Sequence, residues 1–249
     1  MSDISAVPIG RVSSNWLEEI KNYQLTPEDE EIIKWREKEI KAMRQIENEE
    51  QEKTRLINMR IPLRYCGLSL DNYTVASAEQ EKVVEFLREY GKRDFKSMEN
   101  LVIHGPPGTG KTHMICAFIQ GCKMKEAQYW KLSDIMRTIR DSYSPRSEES
   151  ELQFLKRLSQ IPILVIDEIG RQTGTKFEGN SIFDLLDDRY DNMLPTILIS
   201  NLPLEGEESM ATYLGRSVMD RINENSLDIP CFWCNYRDHA EITIRAGQL

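Results

Sequence analysis

Long apolar runs are missing from this 249-residue chain. No stretch approaches the ~20 apolar residues that a membrane-spanning helix needs. Residues 1–10 also lack a basic region followed by an apolar one, which is the mark of a secretory signal. We therefore expect a cytoplasmic protein without a membrane partner. Hydrophobic residues still make up 40% of the chain, which is enough for one α/β domain and a smaller extension.

A metal-binding set of cysteines and histidines is also lacking. The five cysteines are an odd number in a chain with no visible export signal, so we expect reduced thiols. Cys231 and Cys234 have the two-residue spacing of zinc and redox sites. No second pair of Cys or His stands at zinc spacing. We therefore favour a structural strand for this run, with a metal or redox site as the alternative.

An excess of positive charge is absent too. The chain has 41 acidic and 32 basic side chains, which give a formal net charge of −9. A protein this acidic does not coat nucleic acid over its whole surface, so any DNA contact must use a local basic patch.

The N-terminal region has no glycine after Gly10 until Gly67, and it is rich in Glu, Lys, Arg and Ile. This composition predicts a short helix over Ser13–Tyr23 and a long one from the start signal at Thr26 to about Asn58. The long helix carries an irregular apolar stripe, formed by Ile32, Trp35, Ile40, Met43, Ile46 and Ile57. Either the stripe packs against the chain's own core, or the helical arm docks on another protein.

The strongest motif is a glycine-rich run that fits the phosphate-loop pattern G-x-x-x-x-G-K-[ST]. It lies between the apolar run 101–103 and the apolar segment 113–120, so strand, loop and helix follow in the expected order. Its backbone N–H groups can surround the oxygens of a nucleoside triphosphate. We expect Lys111 to reach the β- and γ-phosphates and Thr112 to bind Mg²⁺. The predicted nucleotide-binding residues are Gly105, Pro106, Pro107, Gly108, Thr109, Gly110, Lys111, Thr112 and His113.

A second motif is the apolar run 162–166 followed by Asp167 and Glu168. It predicts a buried parallel strand that ends in two carboxylates at the ligand-binding edge of the sheet. Asp167 is expected to hold Mg²⁺, and Glu168 to orient or deprotonate the attacking water. The run 196–201 predicts another buried strand. Its Asn201 can contact the γ-phosphate or its water, although Asn at a strand end is also an ordinary turn signal.

The remaining patterns complete an α/β chain. They predict a strand over 127–132 and helices over 77–90, 133–143, 151–158 and 180–192. Ser77 with Gln80 is a candidate capping box, and Ser133 with Asp134 a candidate cap. Pro62 is expected to end the N-terminal helix. Residues 234–249 are too few for a helical lid domain.

Two arginines, Arg216 and Arg221, are candidates for a site shared between subunits. They are five residues apart, so on a helix they point in different directions. An arginine supplied by a neighbouring subunit can stabilise charge on a transferring phosphoryl group. A surface salt bridge to Asp220 or Glu224 is the alternative for either one.

Together these motifs resemble the DnaC/IstB branch of the AAA+ ATPases. The resemblance covers about residues 60–240 and is carried by the runs 105–112, 164–170, 196–201 and 215–221, with the junction 61–65 similar as well. It implies a P-loop fold in which helices flank a parallel sheet, with little or no C-terminal lid. The implied division is an N-terminal helicase-interaction region (1–60), a nucleotide-pocket junction (61–76) and an ATPase domain (77–249).

The resemblance further implies an ATPase that uses ATP and Mg²⁺ and self-associates through the ATPase domain. Such a loader binds the hexameric replicative helicase and places it on single-stranded DNA during replication initiation. By position, Asn201 matches the first sensor, Arg221 the arginine finger and Arg237 a second sensor, beside the catalytic Lys111 and Glu168. The implied single-strand contacts are Lys131, Arg137, Arg140 and Tyr143.

Three other functions stay open at this point. One is an IstB-like transposition helper ATPase that acts on duplex DNA. Another is a P-loop small-molecule kinase, although adjacent Asp167 and Glu168 suit the activation of water better. The last is a switch that binds ATP with negligible turnover.

Overall fold

The computed structural model describes residues 27–94, 99–122, 126–170 and 176–233. The predicted helix Ser13–Tyr23, Cys234 and Arg237 lie outside these ranges. Within the described residues, no helix is both long and apolar enough to cross a membrane. The chain divides into two compact units, Met1–Glu52 and Lys53–Leu249.

Helices and strands alternate along most of the described chain. The helices are α1 (Pro27–Asn58), α2 (Ala78–Tyr90), α3 (Lys111–Gly121), α4 (Leu132–Ser142), α5 (Glu151–Ser159), α6 (Lys176–Asp191), α7 (Met210–Leu214) and α8 (Arg216–Glu224), with a 3₁₀ turn at Leu63–Tyr65. The strands are β1 (Asn100–His104), β2 (Ala127–Lys131), β3 (Ile163–Ile169), β4 (Thr196–Ser200) and β5 (Ser226–Pro230).

The strands form one five-stranded sheet in the order β2-β3-β4-β1-β5. All the pairings are parallel, so the carboxyl ends of the strands meet at the same edge. The register places Leu101 beside Ile197 on one side and Leu227 on the other. The loop after β1 therefore lies at the same edge as the ends of β3 and β4, which is the arrangement that the sequence predicted for the site.

Both faces of the sheet are buried, which explains the continuous apolar runs in its strands. In β3, Val165 packs with α2 and α3 on one face, whereas Leu164 and Ile166 pack with α4, α5, α6, α7 and α8 on the other. The edge strand β2 is paired as well, because Tyr129 N–H donates to Met59 O at 2.9 Å. The predicted end of α1 before Pro62 is confirmed.

The starts of β3 and β4 are joined by a buried arginine that the sequence analysis missed. Arg189 of α6 is 1% exposed and donates to Ile161 O (2.6 Å), Pro195 O (2.6 Å) and Thr196 Oγ1 (2.8 Å). Burial lowers the pKa of its guanidinium to about 9. Because these acceptors precede or begin the two strands, Arg189 fixes the strands from the end opposite the site.

Some predicted boundaries were wrong. Ser133 and Asp134 do not cap α4, because β2 runs directly into this helix with extended Lys131 as the N-cap. Helix α6 begins at Lys176 rather than at 180 and continues through Gly179. The Ser77 cap on Gln80 N–H is confirmed, but the Gln80 side chain accepts from Ala76 N–H instead of closing the box on Ser77. The capped helix at 151 is confirmed by a full Ser150–Gln153 capping box.

Candidate nucleotide-binding site

A cavity of about 830 Å³ opens at the carboxyl edge of the sheet. It is lined by the phosphate loop, by the ends of β3 and β4, and by the chain between α1 and α2. The structure therefore brings the main predicted residues together, and the cavity-lining ones are Pro107, Gly108, Thr109, Gly110, Lys111, Thr112, His113, Asp167, Glu168 and Asn201.

The loop conformation depends on its glycines. Gly108 and Gly110 have φ values of +87° and +85°, which side chains with a Cβ rarely adopt, and Gly110 is the N-cap of α3. Gly105 has a φ of +139°, and a Cβ there would lie 2.3 Å from Cys231 O. The loop can therefore close only with glycine at its first position.

Lys111 is buried at the start of α3, with 5% of its surface exposed. Its ammonium donates to Gly105 O at 2.6 Å and to Pro106 O at 2.7 Å, so the lysine is folded back over its own loop. Burial lowers the pKa of this ammonium. A cation in a largely desolvated cradle at a helix N-terminus is a suitable partner for phosphate oxygens.

Asp167 and Thr112 supply hard oxygen atoms side by side. The Thr112 hydroxyl donates to Asp167 Oδ2 at 2.7 Å. The Tyr129 hydroxyl also donates to Oδ2 at 2.7 Å, and the backbone N–H of Glu168 donates to Oδ1 at 2.7 Å. Hydroxyl and carboxylate oxygens are the ligands that Mg²⁺ takes together with nucleotide phosphates, so these residues fit that metal.

Glu168 is set apart from Asp167 by an irregularity in the strand. The register between β3 and β4 shifts between Ile166 and Ile169, which is a β-bulge, and Glu168 has a φ of +62°. The strand was predicted to end in the two carboxylates, but it continues to Ile169, where pairing resumes after the bulge. The bulge leaves Glu168 lining the cavity, and Lys131 of the neighbouring β2 donates to its Oε1 at 3.0 Å.

Aromatic rings form the other end of the cavity. The His113 ring lies 5.9 Å from that of Tyr65 in a stacked arrangement and 4.9 Å from that of Tyr73, edge to face. The Tyr73 hydroxyl accepts from Gln80 Nε2 at 2.9 Å. Burial lowers the pKa of His113, which favours the neutral ring. Flat apolar surfaces of this kind suit a nucleobase, and most of them come from the junction between α1 and α2.

Asn201 and the two arginines are placed differently. Asn201 is exposed at the cavity rim, one residue past β4. Arg221 lies on α8, where its guanidinium is 2.8 Å from Asp187 Oδ1 and 5.1 Å from the centre of the Phe183 ring. The predicted salt bridge therefore forms with Asp187 of α6 and not with Asp220 or Glu224, because α8 packs against α6. Arg216 is exposed at the first position of α8.

The predicted DNA contacts fall into two places. Lys131 pairs with Glu168 at the end of β2, next to the site. Arg137 and Arg140 are exposed on α4, three residues apart, and Arg137 Nη1 lies 3.5 Å from Asp134 Oδ1. The hydroxyl of Tyr143, just after α4, donates to Glu151.

Two residues of the site had no signal in the sequence. Tyr129 contacts Asp167 only because β2 lies beside β3 in the sheet. Trp233 follows β5, and its indole N–H donates to Thr109 O of the phosphate loop at 2.7 Å. Strand order decides both contacts, and strand order was not predicted.

The cysteine run has a structural role where it is described. The sequence favoured a structural strand for the run that begins at Cys231. Strand β5 ends one residue earlier, at Pro230, but Cys231 N–H still donates to His104 O at 2.7 Å. Cys231 is fully buried, and burial raises the pKa of its thiol to about 12. In the part of the chain that the structure describes, no group of three or more His, Cys, Asp or Glu could hold a metal ion.

Comparison with known proteins agrees with this geometry. The replicative helicase loader DnaC of Escherichia coli strain K12 is 33% identical over 218 residues, which cover 84% of this chain and 86% of that protein. A crystal structure of the DnaC helicase loader superposes with a TM-score of 0.60 at 23% identity, covering 68% of this chain and 99% of the other. A crystal structure of DnaI gives a TM-score of 0.57 at 19% identity, covering 69% and 95%.

The likeness to these structures confirms the predicted AAA+ P-loop fold. A family model described as IstB-like ATP binding protein matches residues 28–238. The predicted extent of the resemblance, from about residue 60, was therefore too short, because the match includes almost all of α1. The chain belongs to the IstB-like ATP-binding proteins, in the DnaC/IstB branch of the AAA+ ATPases.

Proposed function

We propose that this protein is an ATP-dependent loader that binds the hexameric replicative DNA helicase and delivers it onto single-stranded DNA when replication starts. The observation that carries the proposal is the 33% identity to the replicative helicase loader DnaC over 84% of this chain. The likeness spans the phosphate loop, the acidic pair and most of the helical arm α1, since the family match runs from residue 28 to residue 238.

The site supports hydrolysis of ATP. Lys111 and the loop N–H groups bind the phosphates, and Thr112 and Asp167 hold Mg²⁺, which neutralises charge on the phosphate oxygens when it is bound. Glu168, which lines the cavity at the bulge, accepts a proton from the attacking water and orients it. Asn201 at the rim is placed to contact the same water or the γ-phosphate. Adjacent carboxylates of this kind favour water as the acceptor over a small-molecule substrate.

Completion of the site by a second subunit is part of the proposal. Arg221 is not among the cavity-lining residues of its own chain, and 39% of its side chain is exposed beside Asp187. A guanidinium held at the surface by one carboxylate can reach the nucleotide of a neighbouring copy in an assembly. We therefore assign Arg221 as the finger supplied to a neighbour, and we assign Arg237 as a second sensor by its position in the sequence.

The helicase contact is assigned to the helical arm. Trp35, Ile40, Met43 and Ile46 of α1 are 48–61% exposed, although they are large apolar side chains. Apolar residues on one side of a charged helix are a common docking element for a partner protein. The single-strand contact is assigned to the exposed Arg137 and Arg140 with Tyr143, towards the C-terminal end of α4, and to Lys131 at its N-terminal end.

The arm assignment can be tested with two variants of the full chain. Met43→Glu places a charge in the apolar stripe, whereas Asn48→Glu places the same charge on the opposite side of α1. We expect Met43→Glu to lose binding to the purified replicative helicase hexamer of the host and Asn48→Glu to keep it, measured by sedimentation or light scattering. Equal binding by both variants contradicts the arm assignment.

A loading assay tests the whole function. With helicase, ATP and a primed circular single strand coated with single-strand binding protein, the wild type should promote unwinding, and Lys111→Ala should not. If the protein fails to bind helicase and hydrolyses ATP only on duplex DNA, the helicase loader is excluded and the transposition helper takes its place.

A further inference from the structure

The segment that follows β5 holds the phosphate loop at two points. Cys231 N–H donates to His104 O at 2.7 Å, just before the loop begins. Trp233 Nε1 donates to Thr109 O at 2.7 Å, near the end of the loop. Between these points, Cys231 O lies so close to Gly105 that a Cβ would come within 2.3 Å of it. The segment 231–233 therefore clamps the loop from behind.

The direction of one loop N–H follows from the Trp233 contact. Thr109 O and Gly110 N–H belong to one peptide unit, and the structure has no cis peptide bond among its described residues. In a trans peptide, the C=O and the N–H point in opposite directions. Because Thr109 O points to Trp233, Gly110 N–H points the other way. Thr109 and Gly110 both line the cavity and Trp233 does not, so the N–H on the side away from Trp233 is the group that can face the cavity.

The carbonyl of Gly110 accepts from Met114 N–H at 2.9 Å, but that bond belongs to the next peptide unit and does not fix the Thr109–Gly110 peptide. The Gly110 φ of +85° belongs to a region that glycine enters and leaves at little cost, so the Thr109–Gly110 peptide can rotate if the Thr109 carbonyl is released. Thr109 itself is buried, and its hydroxyl donates to Pro106 O at 3.1 Å, which restrains the side chain but leaves the carbonyl to Trp233. A buried carbonyl that loses its donor also turns to find another one.

We infer that Trp233 is a positioning residue of the nucleotide site, whose indole N–H holds the Thr109–Gly110 peptide so that Gly110 N–H can donate to a phosphate oxygen. The inference rests on the proposed binding of ATP at this cavity. It assigns a role to residues 231–233 after β5, which no motif of the sequence indicated.

The test compares Trp233→Phe with Trp130→Phe. Both replacements keep an aromatic ring and remove one indole hydrogen bond, since Trp130 Nε1 donates to Gln128 Oε1 at 3.0 Å away from the cavity. We expect Trp233→Phe to bind a fluorescent ATP analogue roughly tenfold more weakly, because an unpaired buried carbonyl favours the rotated peptide. Trp130→Phe should bind it with wild-type affinity, even if its melting temperature falls.

A second readout separates positioning from general loosening of the fold. Since the affected N–H faces phosphate, Trp233→Phe should weaken competition by ATP and ADP equally and leave competition by adenosine unchanged. Equal loss for adenosine, or an ATP affinity equal to that of the wild type, overturns the inference.

The hydrogen bond itself can be measured without nucleotide. In a ¹⁵N-tryptophan spectrum of the full chain, the indole proton that is missing from Trp233→Phe should exchange slowly with solvent. Fast exchange of that proton contradicts the inference, whatever the ATP affinity. If the wild type binds no ATP while the proton is protected, it is the proposed function that fails, and the clamp on the loop stands.

Discussion

Asp167 and Glu168 are neighbours in the sequence, yet the protein holds them in opposite ways. Asp167 is 4% exposed, and Thr112, Tyr129 and a backbone N–H all donate to its carboxylate. Glu168 has a quarter of its side chain exposed, lies in a β-bulge at a positive φ, and forms an ion pair with Lys131. Both carboxylate oxygens of Asp167 are therefore held by hydrogen bonds, whereas the carboxylate of Glu168 projects from a β-bulge.

This difference matches the roles proposed for the two groups, a metal ligand and a general base. A metal ligand acts best when hydrogen bonds fix its orientation before the ion arrives. A general base must instead approach a water molecule whose place depends on the bound phosphate. The positive φ of Glu168 costs about 1 to 3 kcal/mol in a residue with a Cβ, and such strain is typical of active sites. Hydrogen bonds thus hold Asp167 in place, whereas the position of Glu168 requires a strained backbone.

Asp167→Asn should have the largest effect, because it changes the carboxylate that hydrogen bonds hold in place. An amide keeps the size of the side chain but removes the charge that faces Mg²⁺, so we expect hydrolysis to fall by about 10³-fold or more, equivalent to several kcal/mol. Nucleotide binding should also lose its dependence on Mg²⁺, measured by titration with and without the ion. Asp134→Asn, which removes a carboxylate paired with Arg137 on the surface of α4, is the control. Binding that still depends on Mg²⁺ contradicts the role of Asp167.

Glu168→Gln should separate binding from hydrolysis. The amide cannot accept a proton, so turnover should fall by about 10²-fold, while ATP and Mg²⁺ still bind because Asp167 and Thr112 are unchanged. Single-turnover hydrolysis and equilibrium binding measure the two effects independently. Glu149→Gln, which breaks an exposed ion pair with Arg157, should leave both unchanged. A variant that loses ATP affinity as strongly as turnover would place Glu168 in binding, and the contrast with Asp167 would disappear.

The sequence predicted the positions of the phosphate loop and Asp167 well, and the backbone conformation at Glu168 less well. The phosphate loop and the acidic pair are contiguous patterns, and their chemistry depends on neighbours along the chain. The bulge at Glu168 has no such signal, because Glu rarely adopts a positive φ and the run before it is typical of a regular strand. The sequence therefore predicted a strand that simply ends in the two carboxylates, whereas its pairing with β4 is interrupted after Ile166 and resumes at Ile169.

The sequence also did not predict contacts between segments that are far apart along the chain. Tyr129 and Lys131 reach the acidic pair because β2 lies next to β3, and Trp233 reaches the loop because β5 lies next to β1. Apolar periodicity assigns a segment to the sheet but does not give its place in the order of strands. Lys131 was given as a DNA contact because the family resemblance implied it, and its partner Glu168 was not predicted.

Tyr129→Phe should loosen Asp167 without removing it. The buried hydroxyl donates to the same oxygen as Thr112, and its loss leaves the ring packing in place. Removing such a supporting hydrogen bond typically weakens metal affinity by about tenfold. We therefore expect the Mg²⁺ concentration at half-maximal hydrolysis to rise by that factor, with turnover at saturating Mg²⁺ nearly unchanged. Tyr190→Phe, whose hydroxyl donates to Glu224 at the surface, is the matched control. An unchanged Mg²⁺ requirement in Tyr129→Phe would show that Thr112 and the backbone orient Asp167 without help.

Lys131→Met should act on Glu168, its ion-pair partner, and have the smallest effect. The ion pair with Glu168 leaves 34% of the lysine side chain exposed, so solvent screens it and its loss is worth only about threefold in rate. The expected direction is upwards, because the ammonium holds the carboxylate towards β2 and the variant removes that restraint on its approach to water. Lys92→Met breaks an exposed ion pair with Glu89 at the C-terminal end of α2 and controls for loss of charge. If basal hydrolysis falls in Lys131→Met while Lys92→Met is unchanged, the lysine supports the active position of Glu168 instead of competing with it, and both carboxylates are then held in place by their neighbours.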